Sequence, residues 1–203
     1  MPFKKLHAHI NEKLASHDIS TPTPFQIASI PVIKSGANTF CTAPKGSGKT
    51  TTMILTVLHK LKCEEVGTAP RAIILVENRE RAFELEETIL KYTRHTSLRV
   101  YTCDDKFHIE VLTSEIFEGV DILIATPKTV CKLLLSEGLN MTQLKIFNIE
   151  DAEFLSKSST YTDLMAITQS IHKCQYVVYS EKSNTMLKRL ETNIMQYSKT
   201  VAL

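Results

Sequence analysis

The chain has 203 residues, of which 43% are hydrophobic and 23% charged, a balance typical of a soluble globular protein, and it shows no internal repeat or low-complexity segment. Its formal net charge of +2 is too small to argue for nucleic-acid binding by charge alone. No apolar stretch reaches the roughly 20 residues that span a bilayer, and the N-terminus lacks the apolar run of a secretory signal.

Five cysteines occur, Cys41, Cys63, Cys103, Cys131 and Cys174. Their number is odd and no pair has C-x-x-C spacing, so reduced thiols fit better than a disulfide framework or a zinc site. His7 and His9 alternate on a predicted helix and would not share a face, which argues against a metal role.

In chain order, residues 3–17 read as an amphipathic helix, with Leu6, Ile10 and Leu14 four apart. Ser20-Thr21-Pro22-Thr23-Pro24 breaks it, and a second helix covers residues 25–33. Residues 38–42 form an apolar run of strand length, and residues 51–58 are helix-like. A strand is expected at 72–76, a charged helix at 79–93 with Ala82, Leu85, Ile89 and Tyr92 as its apolar stripe, and a short strand at 98–101. Further strands are expected at 122–125, 146–149, 176–179 and 200–203. Helices are expected from Pro127, at 160–171 and at 184–197. Short apolar runs separated by helices are the pattern of a parallel sheet covered on both faces, here as one α/β domain.

Between the run at 38–42 and the helix after it lies Ala43-Pro44-Lys45-Gly46-Ser47-Gly48-Lys49-Thr50. Strand, Gly-rich loop and helix in that order are the context of a phosphate-binding loop of the Walker A kind. Gly46 and Gly48 let backbone N–H groups turn inward, and the following helix adds its positive end. Lys49 would reach the β- and γ-phosphates, and the Thr50 hydroxyl would ligate Mg²⁺. The bland alternative is a glycine turn with a chance Lys-Thr, which leaves the flanks unexplained. In a parallel sheet, ligands bind at the carboxyl ends of strands. The residues there are Glu77-Asn78-Arg79-Glu80, Thr126-Pro127-Lys128-Thr129, Glu150-Asp151-Ala152-Glu153 and Ser180-Glu181-Lys182. Any one cluster reads equally as a solvated strand end; the set converges on the phosphate loop.

Those residues resemble the first RecA-like domain of a DEAD-box RNA helicase, across essentially the whole chain. Thr21-Pro22-Thr23-Pro24-Phe25-Gln26 is similar to the family's Q motif, which implies that Gln26 reads the adenine edge, as an amide with donor and acceptor side by side can. The loop residues, with Thr51 after them, resemble motif I and imply ATP binding. Arg79, Glu80 and Ala82 resemble motif Ia, although Glu77-Asn78 replaces its Pro-Thr. Thr126-Pro127 resembles the start of motif Ib, with Lys128-Thr129 in place of Gly-Arg. The resemblance implies that Arg79, Glu80, Thr126, Pro127 and Lys128 face the RNA backbone. Acidic Glu77, Asp104 and Asp105 nearby would weaken that grip.

Glu150-Asp151-Ala152-Glu153 stands where the family has Asp-Glu-Ala-Asp. The resemblance implies that Glu150 serves Mg²⁺ and Asp151 polarises the attacking water. Asp151 is one methylene shorter than the usual base, and a displacement of about 1 Å costs on the order of a hundredfold in rate. Binding is therefore expected to survive better than hydrolysis. Ser180-Glu181-Lys182 replaces Ser-Ala-Thr of motif III, with an ion pair expected between Glu153 and Lys182. The family's second RecA-like domain lies outside these residues, so the isolated domain is expected to have little activity. The expected cofactors are ATP and Mg²⁺, and the expected partners RNA and that second domain. The alternatives are a degenerate domain acting as an RNA-binding or protein-docking scaffold, and an unrelated P-loop kinase or GTPase. Substituted modules of this kind resemble the Tudor-domain helicases of the piRNA pathway, which implies cytoplasmic, perinuclear RNA granules and protein partners there.

Overall fold

The computed structural model describes residues 2–183 and 185–203, with the backbone alone of Met186. Among the described residues, seven strands form one sheet: β1 (Thr39–Thr42), β2 (Ala72–Leu75), β3 (Val100–Thr102), β4 (Ile122–Ala125), β5 (Ile146–Ile149), β6 (Gln175–Ser180) and β7 (Lys199–Ala202). Their spatial order is β3-β4-β2-β5-β6-β1-β7 and every pairing is parallel. Among the described residues, α1 (Ala8–Ser16) and α2 (Pro24–Lys34) precede the sheet, and α3 (Lys49–Leu61), α4 (Arg79–Thr93), α5 (Ile109–Glu118), α6 (Pro127–Leu135), α7 (Ser158–Gln169) and α8 (Thr185–Asn193) connect successive strands.

The central strands need both faces covered because they are mostly apolar; β2, β4, β5 and β6 are buried at every residue. Alternation then divides the core in two. Ala72, Ile74, Ile122, Ile124, Ile146 and Val177 face α1 to α4, packing with Ile10, Ile30, Leu55 and Leu85. Ile73, Leu75, Leu123, Phe147, Ile149 and Val178 face the other way, packing with Ile116, Leu133, Ile167 and Leu190 of α5 to α8. Truncating one such side chain to alanine costs about 2–5 kcal/mol.

This RecA-like arrangement agrees with the α/β class expected from sequence, and α4 and β4 coincide with their predicted bounds. Three differences have local causes. The predicted helix at 3–17 is split, because Leu6 is extended (ψ 170°) between a 3-10 turn at Phe3–Lys5 and α1. The helix α5 has no counterpart among the predictions. Its core stripe is only Leu112 and Ile116, and exposed Val111 and Phe117 blur it. The last helix stops at Asn193 rather than 197, and its predicted first residue, Asn184, lies outside the described residues.

At the amino end of the sheet, Arg71, Arg99 and Asp121 stand just before β2, β3 and β4. Asp121 is fully buried; its Oδ1 accepts from Arg71 Nη2 (2.6 Å) and Nε (3.0 Å), and its Oδ2 from Arg99 Nε (2.9 Å). Burial pushes the carboxyl up, but hydrogen bonds from Arg99, Arg71 and the Val66 N–H outweigh it and hold it below its ordinary value. This knot ties three strands together at the end opposite the polar loops.

Candidate functional site

The loop after β1 is fixed from both sides. The Ala43 N–H donates to the Ser180 carbonyl (3.1 Å), extending the β1–β6 pairing to the loop's first residue. On the other side, Thr23 and Gln26 form a capping box at the start of α2: Thr23 Oγ1 accepts from the Gln26 N–H, and Gln26 Oε1 accepts from the Thr23 N–H (3.0 Å). The Thr23 hydroxyl in turn donates to the Ser47 carbonyl (2.7 Å). Gly46 and Gly48 have φ of +82° and +95°, the left-handed region that favours glycine. At Gly48 a Cβ would stand 2.8 Å from Gln26 Nε2, so the loop also needs a hydrogen there for space.

Lys45, Gly46, Gly48, Lys49, Thr50 and Thr51 line a cleft of about 530 Å³, together with Arg81, Glu84, Asp151 and Glu181. Lys49, Thr50 and Thr51 open α3, where N–H groups lack intrahelical acceptors and the helix end is positive. The Lys49 ammonium donates to the carbonyls of Ala43 (2.7 Å) and Pro44 (3.2 Å), which keeps it folded over the loop. Ser47 Oγ is buried with no hydrogen-bond partner among the described residues. Inward-turning backbone, a lysine over it and a helix end behind it fit a nucleoside polyphosphate. Lys45 to Thr51 would hold its phosphates, and the nucleotide would supply the bond to be cleaved. Gln26 does not line the cleft; it is buried, with Oε1 committed to the cap, so here it braces the loop.

The expected metal ligands are differently engaged. Glu150, at the end of β5, is 2% exposed. Its Oε1 accepts from Arg81 Nη2 (2.6 Å) and Thr50 Oγ1 (2.9 Å), and its Oε2 accepts from Arg81 Nε (2.9 Å). Both oxygens are occupied by a guanidinium from the first turn of α4, so this donor set as arranged does not fit Mg²⁺. No group of three or more His, Cys, Asp or Glu side chains able to hold a metal occurs among the described residues. The Glu150 hydrogen bond, opposed by burial and aided by the charge of Glu150, a hydrogen bond to Glu84 and the charge of Asp151, raises Arg81 above its ordinary value. Sequence reasoning missed Arg81. The signal was its place inside Arg79–Ala82 as the one position not matched to motif Ia.

Asp151 lies at the cleft in the left-handed region (φ +44°), starting a 3-10 turn at Ala152–Ser156. The expected Glu153–Lys182 ion pair does not form among the described residues. Instead the Glu181 backbone N–H donates to Glu153 Oε1 (2.6 Å), while Lys182 is exposed. A backbone donor serves the carboxylate without ordering a long side chain. Ser180 is buried and turned toward β1, with its Oγ 3.4 Å from Thr42 Oγ1. The acidic neighbour Glu181 is the motif III side chain that reaches the cleft.

Arg79, Glu80, Thr126, Pro127 and Lys128 converge on a second cavity of about 620 Å³. Thr126 caps α6 by accepting from the Thr129 N–H (3.3 Å), and Pro127 opens that helix. Arg79 is held by Asp104 through two hydrogen bonds of 2.6 Å and lies over the Phe83 ring. The Arg79 hydrogen bond, with help from the Lys106 N–H, lowers the Asp104 carboxyl to about 2 despite opposing burial. Glu77, Glu80, Asp105 and Asp163 line the same cavity against Arg79, Lys106 and Lys128. All five cysteines are free, and burial pushes the Cys41, Cys103 and Cys174 thiols up to about 12, away from the thiolate form.

A model of the DEAD/DEAH box helicase family matches residues 23–192 of this chain. The pre-mRNA-processing ATP-dependent RNA helicase PRP5 of Lodderomyces elongisporus is 32% identical over 127 residues, 61% of this chain and 13% of that protein. The ATP-dependent RNA helicase dbp-10 of Neurospora crassa is 26% identical over 166 residues, 82% of this chain and 18% of its own length. The chain thus spans less than a fifth of these relatives. Among solved structures, a DEAD box protein from the hyperthermophile Methanococcus jannaschii superposes with a TM-score of 0.89 at 20% identity, covering 98% of this chain and 55% of that one. A variant of S. cerevisiae Dbp5 bound to RNA and ADP BeF3 gives a TM-score of 0.83 at 19% identity, covering 98% and 50%. At such identities the superpositions carry the fold.

Proposed function

We propose that this chain, which belongs to the DEAD/DEAH box helicase family, is the ATP-binding half of an RNA-dependent ATPase whose isolated turnover is low. The observation that carries the reading is the braced phosphate loop, with Lys49 above it and α3 behind it. ATP phosphates would lie against the N–H groups of Gly46 to Thr51, with Lys49 as their principal cation. Asp151 is the acid positioned at that cleft to orient a water. Low turnover follows from its shorter reach and from the pairing of Glu150 with Arg81. RNA would cross the cavity of Arg79, Thr126, Pro127 and Lys128, weakly, because acids line it and Asp104 occupies Arg79. The longer protein would supply a second RecA-like domain that completes both sites.

The second reading, a degenerate domain serving as an RNA-binding or protein-docking scaffold, draws support from that same Arg79–Asp104 pair. Its placement in a piRNA-pathway complex of cytoplasmic, perinuclear granules rests on the substituted motifs. Steady-state ATPase of the longer protein, with and without single-stranded RNA, separates the two. RNA-stimulated turnover abolished by Lys49→Ala supports the enzyme. Tight RNA or protein binding with no turnover supports the scaffold.

A further inference from the structure

The cation beside the phosphate loop to which the reading above gives no contact with the nucleotide is Arg81. It stands in the first turn of α4, about one-third exposed, with its guanidinium entering the cleft that Lys49 and Thr50 line. Four contacts hold it: Glu150 Oε2 from Nε (2.9 Å), Glu150 Oε1 from Nη2 (2.6 Å), Glu84 Oε2 from Nη1 (3.0 Å) and Thr50 Oγ1 from Nη2 (3.4 Å). A planar fork matching a carboxylate through two parallel charge-assisted bonds is a strong side-chain pairing, and removing one partner from a buried acid strands its charge. The Thr50 hydroxyl spends its proton on Glu150 and has Arg81 beside its oxygen. Each oxygen that a divalent ion would need is therefore bonded to, or next to, a fixed positive charge.

We propose that Arg81 is a built-in cation that takes the place of a divalent metal at Glu150, so that this domain engages nucleotide phosphates without one. Arg81 neutralises the acid, keeps Glu150 from repelling the phosphates, and has one N–H, on Nη1, left for the cleft. Metal enters only when Arg81 leaves. The part concerning phosphates rests on the nucleotide reading above; the part concerning metal does not.

The test uses Mn²⁺ alone, followed by electron paramagnetic resonance of the free ion, on the wild-type domain, Arg81→Leu and the double variant Arg81→Leu/Glu150→Gln. Arg81 is half-buried near a helix start, so leucine should fold there; Arg81→Gln repeats the test with a polar side chain. Arg81→Leu should bind Mn²⁺ on the order of tenfold tighter than wild type or better, and the double variant should lose that gain. Wild-type binding as tight as that of both Arg81 variants overturns the proposal. In a second arm, ATP affinity is measured calorimetrically in EDTA and in Mn²⁺. Wild type should change by less than about threefold, and Arg81→Leu by about tenfold or more. A wild-type domain that binds ATP only with metal overturns the proposal. A wild-type domain that binds no ATP in either buffer overturns the nucleotide reading, and the metal arm still decides Arg81.

Discussion

Asp121→Ala is the most exposed consequence of the fold as described. The carboxylate is fully buried and receives five hydrogen bonds, from Arg71 Nε and Nη2, Arg99 Nε, and the Arg99 and Val66 N–H groups. Arg71 is 1% exposed and keeps only the carbonyls of Leu61 and Glu64 once the acid is gone. Removing one member of a buried pair leaves an uncompensated charge and costs about 3–5 kcal/mol. Arg99 is nearly one-third exposed, so its loss adds little beyond that. Against a usual total of about 5–15 kcal/mol, the variant should sit near the edge of folding. Urea unfolding followed by circular dichroism reads the effect. With a slope near 2 kcal/mol/M, the midpoint should fall by about 1.5–2.5 M with the slope unchanged. Because the folded carboxyl lies below its ordinary value, its contribution is complete above the unfolded pKa of about 3.9 and is lost as pH falls through the lower folded value. Acid should therefore narrow the gap between wild type and Asp121→Asn. A loss below about 1 kcal/mol at neutral pH would refute the reasoning, because no buried charge would then have been stranded.

Gly48→Ala forces a side chain into φ +95° and within 2.8 Å of Gln26 Nε2. It should cost about 1–2 kcal/mol, lower the melting temperature by about 2–8 °C, and weaken nucleotide binding because the loop must shift. Asn148, on β5, is fully buried with no partner for either amide atom among the described residues. Asn148→Val should raise stability by about 1 kcal/mol in thermal unfolding, since valine leaves no polar group to desolvate. Asp104→Asn removes the acid that holds Arg79. RNA affinity should rise several-fold and the salt dependence steepen by about one phosphate contact in filter binding or fluorescence anisotropy.

The sheet was legible because β2 and β4 are continuous apolar runs, β5 is apolar but for Asn148, and helix α4 keeps a clear apolar stripe; the phosphate loop was legible because its chemistry is local. What stayed hidden depends on distance in the chain. Arg71 and Asp121 are 50 residues apart and meet only because β2 and β4 are neighbours in the sheet. Arg81 and Glu150 meet because the first turn of α4 folds over the carboxyl end of β5. Neither pairing has a periodic signal. Glu153 and Lys182 looked complementary as types, yet the nearer backbone N–H of Glu181 takes the carboxylate. Helix α5 stayed hidden because two of its apolar residues face solvent and mask its narrow core stripe.

The central claim is that the loop from Ala43 to Thr50 binds ATP through Lys49. Isothermal titration of ATP into the folded domain tests it most directly, with Lys49→Ala as the paired variant. Saturable binding to wild type and a loss of about ten- to a hundredfold in the variant, as expected for removing charge-assisted phosphate contacts, is the predicted result. Binding unchanged by Lys49→Ala, or no saturable binding to the folded wild-type domain, would contradict it.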